Sequence, residues 1–176
     1  MFSPSILEAA RQVVQSAKGA SLRLGTVETV TAGLVAAAVA SVPGASDVLE
    51  RGFILYGYGA KSAGLGIPAD LAGRYGAVSA EITSALAAAF FTRGEADLSL
   101  AVTGYAGPGG GAPDKPVGTV FIAACRRCGT PVVERHLFGG DRDDVRAQAV
   151  ESSLHLVLSL LRKAKFSHGG VETVNG

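Results

Sequence analysis

Three short segments of the chain carry side chains able to do covalent chemistry or bind an anion. The first reads Val27-Glu28-Thr29-Val30-Thr31-Ala32-Gly33. It sets a hydroxyl between an apolar run that reads as a strand and an alanine-rich run that reads as a helix. The first N–H groups of a helix have no partner inside it, so an oxyanion or phosphate in front of them is stabilised. Thr29 would then be presented for attack, as in other strand-to-helix nucleophile turns. The competing reading is that Thr29 or Thr31 only caps the helix. The second segment holds Tyr56 and Lys61, five residues apart. A lysine activates a hydroxyl only where desolvation or nearby positive charge leaves it a neutral amine. Without that setting Lys61 is an exposed loop residue and Tyr56 packs by its ring.

The third segment is Thr103-Gly104-Tyr105-Ala106-Gly107-Pro108-Gly109-Gly110-Gly111, with Lys115-Pro116-Val117-Gly118-Thr119 downstream. Glycines remove the side-chain barrier, so successive N–H groups can wrap an anion or let a ring approach the backbone. The run follows an apolar strand end, where open α/β sheets bind ligands, which makes Thr103, Gly104, Gly107, Gly109 and Gly110 candidate substrate contacts. A plain flexible loop is the alternative. The G-x-x-x-x-G-K-[ST] spacing of a phosphate loop is missing, and no helix-forming run follows, as a dinucleotide fingerprint requires. Further on, Gly139-Gly140-Asp141-Arg142 is followed by Arg146, one helical turn beyond Arg142. Two guanidinium groups on one face could clamp a phosphate, or could pair with Asp143 or Glu151.

Cys125-Arg126-Arg127-Cys128 is a rival centre. A redox C-x-x-C is expected at a helix N-terminus, whereas this one overlaps a strand end and a hairpin turn. A zinc site would need two more ligands, and His136, His155 and His168 are scattered. No metal site is expected.

These segments need elements to position them. Ser3-Pro4 starts an amphipathic helix that closes at Lys18-Gly19. Leu22 to Val27 reads as a strand, and Thr31 to Val42 as an apolar helix stopped by Pro43-Gly44. Arg51 to Tyr58 reads as a second strand, Gly59 to Gly66 as a loop, Pro68 to Tyr75 as a short helix, and Ser79 caps a helix through Arg93. Leu98 to Thr103 is a buried strand. Val117 to Cys125 and Pro131 to Phe138 are strands joined by a tight turn, hence antiparallel. Asp141 caps the last helix, and residues 164–176 read as a loose tail behind a single domain spanning 1–163. The expected architecture is a three-layer α/β/α sandwich with a mixed, mostly parallel sheet of about five strands.

Composition sets the limits. The chain has 176 residues, a formal net charge of +1 and 24 glycines, with 48% apolar residues. Collagen is excluded by the aperiodic glycines, and disorder by the apolar content. No global field recruits nucleic acid. The longest apolar stretches, Leu34 to Val42 and Ile82 to Phe91, fall short of the ~18 residues of a membrane span. Glu8 and Arg11 interrupt any secretory leader, so a cytoplasmic location is expected. Two cysteines make no disulfide framework.

In order and spacing, Gly76-Ala77-Val78-Ser79, Gly104 to Gly111, Lys115-Pro116-Val117-Gly118-Thr119-Val120 and Gly140-Asp141-Arg142 resemble the CinA C-terminal domain family. The likeness runs from about Leu22 to Leu161. It implies an α/β/α fold, homo-oligomerisation, no cofactor, and hydrolysis of the amide of nicotinamide mononucleotide to the acid and ammonia. In that chemistry a Ser in an A-E-S-C-T-G-G turn attacks the amide, assisted by a Tyr and a Lys from a Y-S-N-E-A-K segment. Carried over, the resemblance makes Thr29 the nucleophile, Lys61 the proton acceptor and Tyr56 its assistant. Helix N-terminal amides would be the oxyanion donors. Glu28, Thr31 and Gly33 match and become substrate-binding candidates, and the glycine loop with Arg142 would hold the nucleotide. The chain has no room for the additional N-terminal domain that some relatives carry. The departures are Thr29 at the Ser position and Gly57, Tyr58 and Gly59 in place of Ser, Asn and Glu. Threonine keeps a hydroxyl but adds a methyl and restricts χ1. A non-catalytic nucleotide-binding or scaffolding protein is therefore the alternative to an amidase.

Overall fold

The computed structural model describes residues 2–57 and 59–167. Helix α1 (Pro4–Gly19) starts where Ser3 Oγ accepts from Ile6 N, and it buries Ile6, Ala9, Ala10, Val13, Val14 and Ala17 on one stripe. Strand β1 (Leu24–Glu28) follows and is buried along its whole length. The chain then runs through α2 (Leu34–Ala40), β2 (Leu49–Ile54), α3 (Ala60–Leu65), α4 (Ala69–Tyr75), α5 (Ala80–Ala89) and β3 (Leu98–Gly104). It closes with the hairpin β4 (Thr119–Arg126) and β5 (Val132–Leu137), and with α6 (Arg142–Ser167).

The five strands lie in the order β2-β1-β3-β4-β5. β1 is parallel to both β2 and β3, while β4 runs antiparallel to β3 and β5. Four strands thus point one way and β4 the other, so the sheet is mostly parallel by strand direction although its pairings divide evenly. Helices α1, α2 and α6 cover one face around Leu24, Leu100, Ile122 and Leu154, and α5 with the short α3 and α4 covers the other around Val27, Ile82, Leu86 and Phe90. Full burial of a side chain the size of Phe90 contributes about 2–3 kcal/mol. Its ring occupies the space above Gly25, where an added Cβ would lie 1.8 Å from Phe90 Cζ, so β1 needs glycine there. From β1 the chain passes through α2 to β2 on one side. It then returns through α3, α4 and α5 to β3 on the other. The order of connections therefore reverses at β1, and a crevice opens beyond the carboxyl ends of β1 and β3.

Several boundaries differ from the sequence expectation. Residues 59–66, expected as loop, contain α3: Ala60, Lys61 and Leu65 favour helix, Leu65 buries, and Gly66 at φ +68° ends the turn. β2 stops at Ile54, which leaves Tyr56 beyond the strand. The helix expected from Thr31 begins at Leu34, because Ala32 at φ +51° and Gly33 at φ +94° turn the chain first. The Ser79 helix ends at Ala89 and continues as a 3-10 turn over Phe90–Thr92. α6 runs to Ser167, taking in four residues expected in the tail, where Ala164 and Lys165 are good helix formers. The rest of that tail, 168–176 with His168, and also Tyr58, lie outside the described residues. No helix among the described residues is long and apolar enough to cross a membrane.

Candidate active site

The turn after β1 is fixed from three directions. Glu28, 1% exposed, curls under the start of α2, where its carboxylate accepts from the N–H groups of Gly33 (2.9 Å), Val35 (3.0 Å) and Ala36 (2.9 Å). A carboxylate there satisfies amides that have no helical partner and complements the positive end of the helix. This corrects two expectations. Glu28 is not available to a substrate, because burial and its own helix occupy it, and the α2 amides are engaged rather than open to an oxyanion. From β3, Val102 O accepts both Thr29 N (3.1 Å) and Thr29 Oγ1 (2.9 Å). From α6, Arg146 donates through Nε to Val30 O (3.2 Å) and through Nη2 to Thr31 O (3.4 Å), while Nη1 meets Asp143. Arg146 therefore braces the turn instead of forming a phosphate clamp with Arg142. Thr31 is fully buried behind the turn and Gly33 supplies its left-handed residue, with Ile54 Cδ1 3.0 Å from where a Cβ would sit. Neither reaches the cavity, so both are corrected from substrate contact to turn geometry.

The opposite wall is more open. Tyr56 is 55% exposed, and its hydroxyl accepts from Arg142 Nη2 at the start of α6. Arg142 Nη1 donates to Gly107 O at 2.7 Å, so this guanidinium straps Tyr56 to the glycine loop. Lys61, in the first turn of α3, is half-buried, and burial pulls its pKa below the ordinary lysine range. No hydrogen bond or ion pair engages its ammonium among the described residues. Nothing lies within 4 Å of a Cβ added at Gly57 or Gly59, so the rim beside Lys61 is open where the resemblance has side chains.

The glycine loop leaves β3 between these walls. Tyr105 N donates to Thr119 O (2.9 Å) and Gly118 N to Tyr105 O (2.7 Å), which ties both ends of the loop to β4. Thr103 does not line the loop's inner side. It is fully buried with Oγ1 2.8 Å from Thr83 Oγ1, and Thr83 in turn donates to Ser79 O (2.6 Å), joining β3 to the start of α5. Gly110, at φ +92° against the Tyr105 ring, stands outside the cavity. Both leave the group of substrate contacts, Thr103 for a structural reason and Gly110 because its role is to turn the chain.

What remains comes together. A cavity of 240 Å³ is lined by Thr29, Tyr56, Lys61, Gly104, Gly107, Gly109 and Arg142, all singled out from the sequence. Val30, Val78, Tyr105 and Ala106 complete it. Tyr105 and Val78 sit inside quoted motifs, but nothing in their types distinguished them as lining. A second chamber of 390 Å³ adjoins across Gly107 and Arg142 and carries Asp141 and Asp143. The first chamber holds two cationic side chains and no carboxylate. The N–H groups of Val30, Ala106, Gly107 and Gly109 meet no acceptor among the described residues, so the lining is rich in donors. Cys125 and Cys128 lie at the far hairpin as free thiols, and no group of three metal-ligating side chains occurs among the described residues.

The family model of the CinA C-terminal domain matches residues 7–161. A CinA-like protein of Akkermansia muciniphila is 42% identical over 142 residues, covering 81% of this chain and 34% of its own length. The chain thus spans about a third of the CinA-like relatives it matches. The nicotinamide-nucleotide amidohydrolase PncC of Escherichia coli K12 is 34% identical over 154 residues, covering 88% of this chain and 93% of that protein. Among solved structures, the competence/damage inducible protein CihA from Agrobacterium tumefaciens superposes with a TM-score of 0.88 at 34% identity, over 91% of this chain and 98% of that one. The mixed five-stranded sheet, the crevice at its switch point and these matches together assign the chain to the CinA C-terminal domain family.

Proposed function

We propose that the protein is an amidohydrolase acting on the carboxamide of nicotinamide mononucleotide, with the acid mononucleotide and ammonia as products. The observation that carries this reading is the cavity in which a strand-end hydroxyl, a desolvated lysine, a tyrosine and a donor-rich glycine loop converge from three separate segments. The name of the E. coli relative supports the substrate class. Lys61 as the neutral amine takes the proton of Thr29 as Oγ1 bonds to the amide carbon. The oxyanion so formed is met by backbone N–H groups from Val30 and the Ala106–Gly107 stretch, since those of α2 are engaged by Glu28. Lys61 then returns the proton to the leaving nitrogen as the C–N bond breaks, with the Tyr56 hydroxyl oriented toward it by Arg142. Water, deprotonated by Lys61, then attacks the Thr29 ester, and Lys61 returns that proton to Thr29 Oγ1 as the C–Oγ1 bond breaks and the acid is released. The nucleotide remainder lies along the glycine loop and Arg142.

A second reading is a nucleotide-binding protein without turnover, and one bond favours it: Thr29 Oγ1 donates to Val102 O rather than to a base. Attack requires χ1 to turn, which a β-branched residue resists. Ammonia release from nicotinamide mononucleotide by purified protein decides between them. Turnover by the wild type, lost by at least ~10³-fold in Thr29→Ala, is the expected result. A silent wild type with an active Thr29→Ser assigns the natural sequence to binding alone.

We further propose homo-oligomerisation and a cytoplasmic setting. The exposed Leu137 and Val132 on edge strand β5 support the first, and the free thiols of Cys125 and Cys128 the second. Sedimentation velocity tests the first. The proposed partners are small molecules, not nucleic acid or membrane.

A further inference from the structure

Amide hydrolysis changes the charge of the reacting group from neutral to −1. The chamber facing Thr29 is built for the second state. Among the described residues its charged side chains are Lys61 and Arg142, and the other titratable groups in its wall are the phenols of Tyr56 and Tyr105. The carboxylates of the adjoining chamber, Asp141 and Asp143, have other partners. Asp141 Oδ1 accepts from Asp143 N (2.8 Å) and Asp144 N (3.0 Å), and Asp143 meets Arg146. Among the described residues Arg142 donates to neutral acceptors, Tyr56 Oη and Gly107 O, and no carboxylate pairs with it. Four backbone N–H groups of the lining also lack acceptors among the described residues.

A carboxamide matches the charged groups of this wall poorly, because Lys61 and Arg142 are donors and its NH₂ group brings two more. A carboxylate accepts at both oxygens and makes charge-assisted bonds roughly twice as strong as neutral ones. We propose that the site holds the carboxylate product of its reaction more tightly than the amide substrate, so that the enzyme is inhibited by its own product through Lys61. This rests on the amidase reading above. The inhibition depends on pH in one direction: the product is held by the ammonium form, so its grip weakens as pH rises and Lys61 loses its proton, while amide binding changes little. Burial, which disfavours the ammonium of the empty site, brings that weakening to lower pH than for an exposed lysine.

Calorimetric titration of the Thr29→Ala protein, which binds without turnover, compares nicotinic acid mononucleotide with nicotinamide mononucleotide. The expected result is at least tenfold tighter binding of the acid form, a ratio that falls toward one as pH rises. Lys61→Met should abolish the preference and Lys61→Arg retain it. Equal affinities, or a preference that survives in Lys61→Met, overturn the proposal. Wild-type ammonia release separates the two claims. Turnover without acid preference defeats the product trap and leaves the amidase reading intact, whereas failure of both nucleotides to bind defeats the amidase reading itself.

Discussion

Thr29 and Lys61 face the same cavity but are held in unlike ways. Around Thr29, Glu28 fixes the start of α2, Val102 O takes both the amide and the hydroxyl, and Arg146 holds the carbonyls of Val30 and Thr31. Around Lys61, no partner engages the ammonium among the described residues, Tyr56 is tethered only by Arg142, and the glycines on either side of position 58 leave open space. One wall belongs to the frame of the fold, and the other is completed by whatever binds. The difference teaches that, at this site, stability and reactivity reside in different residues. A group satisfied by the protein contributes to folding, while a group left unsatisfied is available to substrate at some cost to folding.

The contrast breaks most visibly at Lys61. Lys61→Met should lower ammonia release by about 10²–10⁴-fold, the usual contribution of a general base, with the thermal midpoint nearly unchanged. A midpoint lowered by many degrees would put Lys61 in the frame. Glu28→Ala should do the reverse and cost about 3 kcal/mol in urea denaturation, because three backbone donors lose their acceptor at once. A cost below about 1 kcal/mol would mean that water replaces the carboxylate and that the turn is not fixed by it. Arg146→Met should cost about 1–2 kcal/mol and Arg142→Met under about 0.5 kcal/mol, although both lie at the start of α6. Equal costs would erase the distinction between brace and strap. The smallest effect is on the pH dependence of stability. The folded pKa of Lys61 lies below its unfolded value, so between the two the unfolded chain binds the extra proton and stability rises with pH. Urea midpoints across that window should rise more in the wild type than in Lys61→Met.

The open wall is more legible in the sequence than the hydrogen-bonded one. Tyr56, Lys61, the glycine loop and Arg142 carry reactive or conformational chemistry in their residue types, and the fold brings them to one cavity. Glu28 is a substrate candidate through the resemblance alone, and its residue type does not reveal the helix start that it holds. Its real partners are five, seven and eight residues ahead, and they become neighbours only once Ala32 and Gly33 take positive φ. Thr103 was misread for a related reason, since its hydroxyl partner is Thr83 on a helix twenty residues away. Residues 59–66 read as a loop in sequence, but Gly64 packs on Leu55 and lets the α3 turn sit close to the sheet. Boundaries of this kind depend on tertiary packing that local propensity does not contain.

The bond from Thr29 to Val102 joins residues 73 apart in the chain. A ribosome that has produced β1, α2 and β2 has made the Thr29 turn's own residues but not the strand that orients it. The guanidinium that braces the turn arrives only with α6. Contacts of such long sequence separation form late, after the loop-closure entropy has been met. A nascent or truncated chain therefore carries Thr29 and Lys61 without the cavity that joins them, and the turn is braced only when the last helix docks.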